Sequence, residues 1–405
     1  MRLFALFCLF AVGFSGEFQF DDYYWIHVPV FDGIMPYMKG RPAQTVLLRA
    51  IYSIFGLNPM PYKIVSALLH VGVIDALLRI CKRFKRGEWA VWVFAIHPVL
   101  VSTVGYVIQS SVMMCALFMA WAFLMYDKKR YIGFVTLTVL AMMSKQVAYV
   151  FPCVILLYEW FKRDKPWQIP FLVGVMCFCG LLLSSDLFTI SGNRLFTPWE
   201  RICTQASLTP MYSKMVLLPH ISRYTLDHAV VHTSSCLYLC DLTLLVAVGV
   251  IYADRWYRFT IMGLACLLAP EFTTMNLELV FEHRLYVPLA FLCVLAPASK
   301  PWMRKIAPYL ITYLVAVNIQ YQQILANQER LWSHTIDIYP WSYRANFNYA
   351  KAIHEKDPLK SLAYFNKLKN CLDLKRGLWS NELAEKWALW QPSIDAEIKK
   401  CQGFK

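Results

Sequence analysis

The sequence predicts an all-α integral membrane protein, about eleven transmembrane helices followed by a small helical domain outside the bilayer. Three observations predict it. Of 405 residues, 58% are hydrophobic and 16% charged, against roughly a quarter charged in an average soluble domain. The apolar residues fall in long blocks, and mean hydropathy is +0.43. Lysine and arginine, which give the chain a formal charge of +14, collect in alternate connections between those blocks. Ordinary soluble enzymes, disorder and coiled coils are excluded, and 13 Cys are too few for a disulfide scaffold.

A bilayer core needs about 20 mostly apolar residues per helix, fewer inside a bundle. On that basis spans fall at 3–16, 61–80, 89–106, 110–126, 131–144, 147–160, 167–185, 237–253, 259–270, 285–298 and 306–324. The short ones near 131–160 and 259–298 imply tilted or broken helices. One set of connections, Met1–Arg2 with 79–88, 127–130, 161–166, 254–258 and 299–305, holds 17 Lys/Arg in 34 residues. The other, 17–60, Lys63, Lys145, 186–236 and 271–284, holds 10 in 111. By the positive-inside rule the first set is cytoplasmic, so the N-terminus is inside and the C-terminal tail outside. Residues 1–16 read either as a retained first helix or as a cleaved signal peptide ending near Val12–Gly16.

The expected domains are a transmembrane unit over 1–324, with a first outer loop at 17–60 and a long one at 186–236, and a tail over 325–405. Four cysteines fall outside, Cys203, Cys236, Cys371 and Cys401, which allows two disulfides or four free thiols. The tail carries 13 Lys/Arg, 9 Asp/Glu and five of the 14 Trp. Two short amphipathic helices are expected there, over 342–350 and from Asp357–Pro358, an N-cap with an N1 proline. A second, degenerate pair is expected between Leu378 and Ile398. The pattern reads as tetratricopeptide-type hairpins, too few to stand alone, so the tail should lean on the membrane unit or its outer loops.

Asp21 and Asp22, just beyond the first span, read in two ways. A carboxylate at a bilayer surface serves as general base toward an acceptor hydroxyl or ligates a divalent cation; equally, Asp before an aromatic run caps a helix. Arg41, in Lys39-Gly40-Arg41-Pro42, either grips a phosphate or snorkels to headgroups. Asp75 and Arg79 form a helical pair. His97, before Pro98 in the third span, marks a bend and reads as a packing residue. Lys145 stands between two apolar runs, and Glu282, His283 and Arg284 open the tenth span on the same outer side. Arg41, Lys145 and Arg284 thus place cations on one face, as an anionic lipid-phosphate substrate requires. No P-loop, dinucleotide fingerprint, zinc spacing or Gly-x-Ser-x-Gly occurs.

Several stretches then match a known group in order: Phe20-Asp21-Asp22, Gly40-Arg41-Pro42, Phe55 to Pro59, Phe94 to Val99, Met143-Ser144-Lys145 and Phe281 to Pro288. In these and in the helical tail the chain resembles the transmembrane and tetratricopeptide-repeat O-mannosyltransferases and their shorter bacterial relatives of the type IV pilin arabinosyltransferase type. The resemblance spans nearly the whole length. It implies a GT-C-type bundle and a glycosyltransferase that takes a polyprenyl-phosphate sugar on the periplasmic or lumenal side and acts with inversion. It gives the role of base to Asp22 or Asp21, and phosphate or substrate contacts to Arg41, Lys145, Arg284, Glu282 and His283. His97 receives a structural or orienting role. The chain departs from the family pattern at Ser102 and Gln146, where Glu is frequent, and at Ser110, where Arg is usual.

The implied partners are the lipid-linked donor, a protein acceptor such as a pilin or a glycan acceptor, and membrane lipids, with no nucleic acid. No cofactor is required beyond a divalent cation that Asp21 and Asp22 could take. The short tail points to a bacterial inner membrane. Two readings from other classes are a transporter or lipid flippase, which would show inverted repeats and midplane charges, and a non-catalytic assembly factor.

Overall fold

The computed structural model describes residues 2–19, 22, 26, 41–162, 197–228, 230, 233–252, 255–273, 278–297, 301–374 and 394–399, excepting the side chains at 252, 255, 273, 304 and 369–374. Every described element is an α-helix or a 3-10 turn. Two helical stretches are long and apolar enough to cross a membrane, Pro59–Arg83 and Val107–Asp127, while Arg2–Gly13, Tyr131–Ser144 and Leu237–Ile251 are apolar but shorter. The expected eleven full spans are therefore not reached among the described residues, and the span expected at 167–185 lies outside them.

The chain opens with α1 (Arg2–Phe10), followed by α2 (Pro42–Phe55). Helix α3 (Pro59–Arg83) starts on Asn58, whose side chain accepts from the Met60 N–H, with proline at N1. Next come α4 (Trp89–Ile96), α5 (Val101–Gly105), α6 (Ser110–Asp127), α7 (Tyr131–Ser144) and α8 (Phe151–Lys162). Helices α3 and α6 end alike: Lys85 and Lys129 take φ of 53° and 58°, and the next N–H groups, of Arg86 and Arg130, return to the Cys81 and Met125 carbonyls at 2.8 Å. These are Schellman closures with lysine where glycine is usual. The Arg83 to Asp127 ion pair, at 2.7 Å, ties the two ends together. The clustered basic residues thus define one end of the bundle, its basic face.

The expected third span, 89–106, is broken into α4, a 3-10 turn over Pro98–Leu100, and α5. Pro98 has no N–H to donate, so carbonyls at the end of α4 lose their helical partners. Buried side chains of other helices replace them. His70 Nε2–H donates to the Ala95 carbonyl at 3.0 Å while its Nδ1 accepts from Tyr286 Oη–H at 2.7 Å, and Asn318 Nδ2 donates to the Ile96 carbonyl at 3.0 Å. In a low-dielectric interior such groups need partners from within the protein.

The remainder is α9 (Pro198–Ser207), α10 (Thr209–Leu217), α11 (Leu237–Tyr252), α12 (Arg255–Thr273), α13 (Tyr286–Leu295) and α14 (Pro301–Leu325), then α15 (Gln328–Ile338), α16 (Tyr343–Ile353) and α17 (Pro358–Leu374). The amphipathic helices expected at 342 and 357 are α16 and α17. Ser342 caps α16 by accepting from Ala345 N–H at 3.1 Å, and Asp357 caps α17 through Lys360 N–H at 3.0 Å. Phe347, Ala350, Phe365, Leu368 and Ile394 form their common core. Of the degenerate pair expected over 378–398, only the last residues are described, inside the helical stretch 394–399.

The tail packs against distant segments at Phe18, Asp227 and Glu278. Arg344 reaches Asp227 at 3.0 Å and Glu278 at 3.5 Å, Ser342 donates to Asp227 at 2.7 Å, and Gln328 donates to the Phe18 carbonyl at 2.6 Å. The same corner fixes the N-terminal segment. Gln322 accepts from Gly13 N–H at 3.1 Å and donates to the Leu9 carbonyl at 3.0 Å, and Glu17 N–H donates to the Ala326 carbonyl at 3.0 Å. A Cβ on Gly16 would lie 2.7 Å from Ala326 Cα and 2.7 Å from Lys63 Nζ. Backbone cannot yield there as a flexible side chain would. Gly16→Ala is therefore expected to destabilise the protein by about 1–3 kcal/mol, the usual cost of overpacking. It should lower the melting temperature in detergent, and an unchanged melt would show that this junction is loose.

Candidate functional site

At the end opposite the basic face, a three-residue turn joins two groups of charges. Residues Val107–Gln109 form a 3-10 turn at the mouth of α6. Their free N–H groups point to Asp22, which has no exposed surface. Its Oδ1 accepts from Ile108 N–H at 2.8 Å, and its Oδ2 from Gln19 N–H at 3.0 Å and Val107 N–H at 3.3 Å. Asp22 is thus a cap, as one reading of the sequence proposed, but of a turn 85 residues away rather than of the helix beside it. Phe18, Ile26, Leu48, Ile51, Tyr62 and Val107 pack into a separate apolar cluster around this loop. Burial raises the Asp22 pKa to about 7, against the three N–H donors and the nearby charge of Lys63, which lower it. A carboxyl group poised near neutrality has the acidity suited to general-base work. Asp21 lies outside the described residues.

The other side of the turn meets the cations. Lys145 Nζ donates to Gln109 Oε1 at 3.2 Å, and Gln44 donates to the Ile108 carbonyl and to Ser110 Oγ. Lys145 ends α7 and stands before a 3-10 turn over Gln146–Val150. Its pKa is held well below the ordinary lysine range, first by burial and then by Arg41 and Arg284, with Glu271 acting in the opposite direction. Arg41, beside Tyr106, is likewise lowered by burial. Arg284 is buried, and Arg41, Lys145 and His283 are half-buried. The His283 pKa lies well below the usual imidazole value, through burial and then through Lys145, Arg284 and Arg41, so its ring is neutral at physiological pH. Burial likewise raises the Tyr212 phenol to about 12, with Arg284 pulling it down. Three cations and one carboxylate, Glu271, therefore share a recess. Among the described residues their positive charge exceeds the negative, which suits an anion, because like charges drawn out of water need a neutralising partner.

Arg284 is itself fixed. Its Nε pairs with Glu271 at 2.9 Å, and its terminal nitrogens donate to the Leu279 and Glu278 carbonyls. Arg201 of α9 holds the Glu271 carbonyl from behind at 2.9 Å.

Two expected site residues have structural partners. His97 Nδ1 accepts from Val99 N–H at 3.2 Å and its Nε2–H donates to the Val216 carbonyl at 3.0 Å, so it caps the break in the third span and ties α10 to it. Glu282 accepts from Thr225 N–H at 2.8 Å and from Tyr321 Oη–H at 2.9 Å, and lies 3.6 Å from His228 Nε2. It binds the outer segment 224–228 to α14. Glu282→Ala would strand a buried N–H and a buried hydroxyl, each costing about 1–3 kcal/mol. A drop of several degrees in melting temperature is expected; a stable variant with weakened substrate binding would instead favour a contact role.

Sequence reasoning did not single out Lys63, Gln44, Gln109 or Glu271. Lys63 had a visible signal, a cation one turn into an apolar helix. Gln109 and Gln44 had none, since their roles come from neighbours brought together by folding. Cys203 and Cys236 are free thiols; Cys401 and the Cys371 side chain lie outside the description. Among the described residues no group of three or more His, Cys, Asp or Glu is placed to hold a metal ion.

In a 93-residue stretch, 22% of its length, the chain is 29% identical to protein O-mannosyl-transferase TMTC3 of Homo sapiens, and it is 30% identical over 93 residues to protein O-mannosyl-transferase TMTC3 of Mus musculus. The match spans 10% of either relative. No family model matches the chain, and no solved structure matches it. The likeness is therefore partial, to a protein O-mannosyl-transferase. Both relatives are mammalian, and they lend no support to a bacterial inner membrane.

Proposed function

We propose that the protein is a membrane glycosyltransferase of GT-C type that moves a sugar from a polyprenyl-phosphate donor to a hydroxyl of a protein or glycan acceptor, with inversion. The observation that carries this reading is the recess where Arg41, Lys145 and Arg284 outweigh Glu271, joined through the Val107–Gln109 turn to a buried Asp22 with a pKa near neutrality. The partial likeness to O-mannosyltransferases supports the same chemistry. On this reading the acceptor oxygen attacks the anomeric carbon as the bond to the phosphate oxygen breaks. The leaving phosphate takes the electron pair and is held by the cations, and the acceptor proton passes to Asp22. Positioning and charge stabilisation suffice because the donor is already activated. The site faces the periplasm or lumen, opposite the basic connections, and the tail stands beside it as the surface for an acceptor.

The test uses purified full-length protein in lipid nanodiscs with radiolabelled polyprenyl-phosphate mannose or arabinose and a panel of hydroxyl acceptors. Transfer from the lipid donor but not from a nucleotide sugar is expected. Binding of neither donor would overturn the proposal.

A further inference from the structure

Away from the cation recess, an apolar cavity of about 140 Å³ lies between α3, α6, α8, α12 and α13. At one end it reaches Phe151 and Val287, just below the recess, and at the other it ends among Phe84, Arg86 and Trp256 at the basic face. Its wall between those ends is aliphatic and aromatic, including Leu77, Met119 and Phe259. A void this large and this apolar stays dry, and hydrocarbon is its natural filling. The mouth is different in kind. Arg86 lies over the Trp256 ring at 4.8 Å, and Lys162 over the Tyr158 ring at 5.4 Å. Arg83 nearby is already matched by Asp127, whereas no carboxylate forms an ion pair with Arg86 among the described residues.

We infer that this cavity takes part of one acyl chain of an anionic phospholipid from the leaflet at the basic face, a few carbons long, with the remainder of the chain in the bilayer and the lipid phosphate on Arg86. A hydrocarbon slot with a cation at its mouth has the two complementary parts of such a lipid. Basic pockets between helices on this side of a membrane are known to take acidic headgroups. The polyprenyl donor does not fit this arrangement, since its phosphate is assigned to the opposite end of the bundle. That exclusion of the donor rests on the proposed function, whereas the binding of an anionic phospholipid itself can stand or fall without the transfer reaction.

The test compares phosphatidylglycerol with phosphatidylcholine of identical chains, bound to the full-length protein in detergent and counted by native mass spectrometry. Wild type is expected to retain the anionic lipid about tenfold better, because phosphatidylcholine has the same phosphate but its choline cation cancels the net charge that Arg86 attracts. Arg86→Gln should reduce retention to the phosphatidylcholine level. Ala290→Leu, which fills the cavity wall, should weaken both lipids while leaving the headgroup preference. Equal retention of the two lipids by wild type, or a preference that survives Arg86→Gln, would overturn the proposal. So would displacement of phosphatidylglycerol by a short polyprenyl phosphate at equal concentration, which would assign the cavity to the donor. Should Arg86→Gln fail to fold, the wild-type comparison and the Ala290→Leu variant decide alone.

Discussion

Asp22→Asn is expected to lower transfer by about 10²- to 10⁴-fold, the usual contribution of a positioned general base, with donor binding retained. The wild-type rate should rise with pH through an apparent pKa of about 7, because the acid form cannot take the acceptor proton, and the variant should lose that limb. Stability supplies an independent readout. The folded pKa lies above the usual 3.8, so the native state holds this proton more tightly than the unfolded chain. The stabilisation is complete below about pH 4 and is lost as pH rises toward 7. The wild-type melt should therefore fall between about pH 4 and 7 by a component that Asp22→Asn removes. The asparagine amide cannot accept all three N–H donors, so a stability loss of about 1–3 kcal/mol is also expected. Asp22→Glu, which keeps the charge, separates that structural cost from catalysis. A pH-independent wild-type rate, or full transfer by Asp22→Asn, would remove Asp22 from the role of base.

Lys145→Gln should have the second large effect, in opposite directions for function and stability. Losing one preorganised cation from a leaving-group site typically costs about 10²–10³ in rate, and here the loss should appear in kcat/KM for the donor with acceptor KM unchanged. In donor-free protein the same substitution relieves a half-buried charge that faces Arg41 and Arg284, while glutamine can still bond Gln109. The melting temperature of the empty protein should therefore rise. Because the Lys145 pKa is depressed, wild-type activity should also fall on the alkaline side as the ammonium loses its proton, and Lys145→Arg should shift that fall upward. A variant with weaker donor binding and an unchanged or lower melt would point to Lys145 as a structural residue. A stability gain bought with activity is the usual signature of a strained site.

The parts of the molecule legible in the sequence are those determined locally. The caps of α16 and α17 are visible as Ser342 and Asp357–Pro358, and the basic loops as runs of cations. The gathering of Arg41, Lys145 and Arg284 followed from the alternation of connections. Other features depend on distant partners and left no local trace. The broken third span needs His70 and Asn318 to satisfy the Ala95 and Ile96 carbonyls. Glu282 has the same spelling as an interfacial charge, and only Thr225 and Tyr321 reveal it as a staple. Asp22 could be read as a cap or a base, and the turn that it caps, Val107–Gln109, is remote in sequence. Three substitutions relative to the family pattern also gain context. Ser110 is a buried partner of Gln44, Ser102 is buried, and Gln146 begins the turn after Lys145.

The corner that seats the Asp22 loop has a consequence for biosynthesis. Gly13 and Phe18 are held by Gln322 and Gln328, partners 309 and 310 residues further along the chain. A chain emerging from its N-terminus has no seat for this loop until nearly the whole membrane unit has been made, and closing so long a loop is slow. Assembly of the carboxylate site is thus a late event in maturation, timed by synthesis of the α14–α15 junction, so a nascent or truncated chain carries Asp22 without its seat.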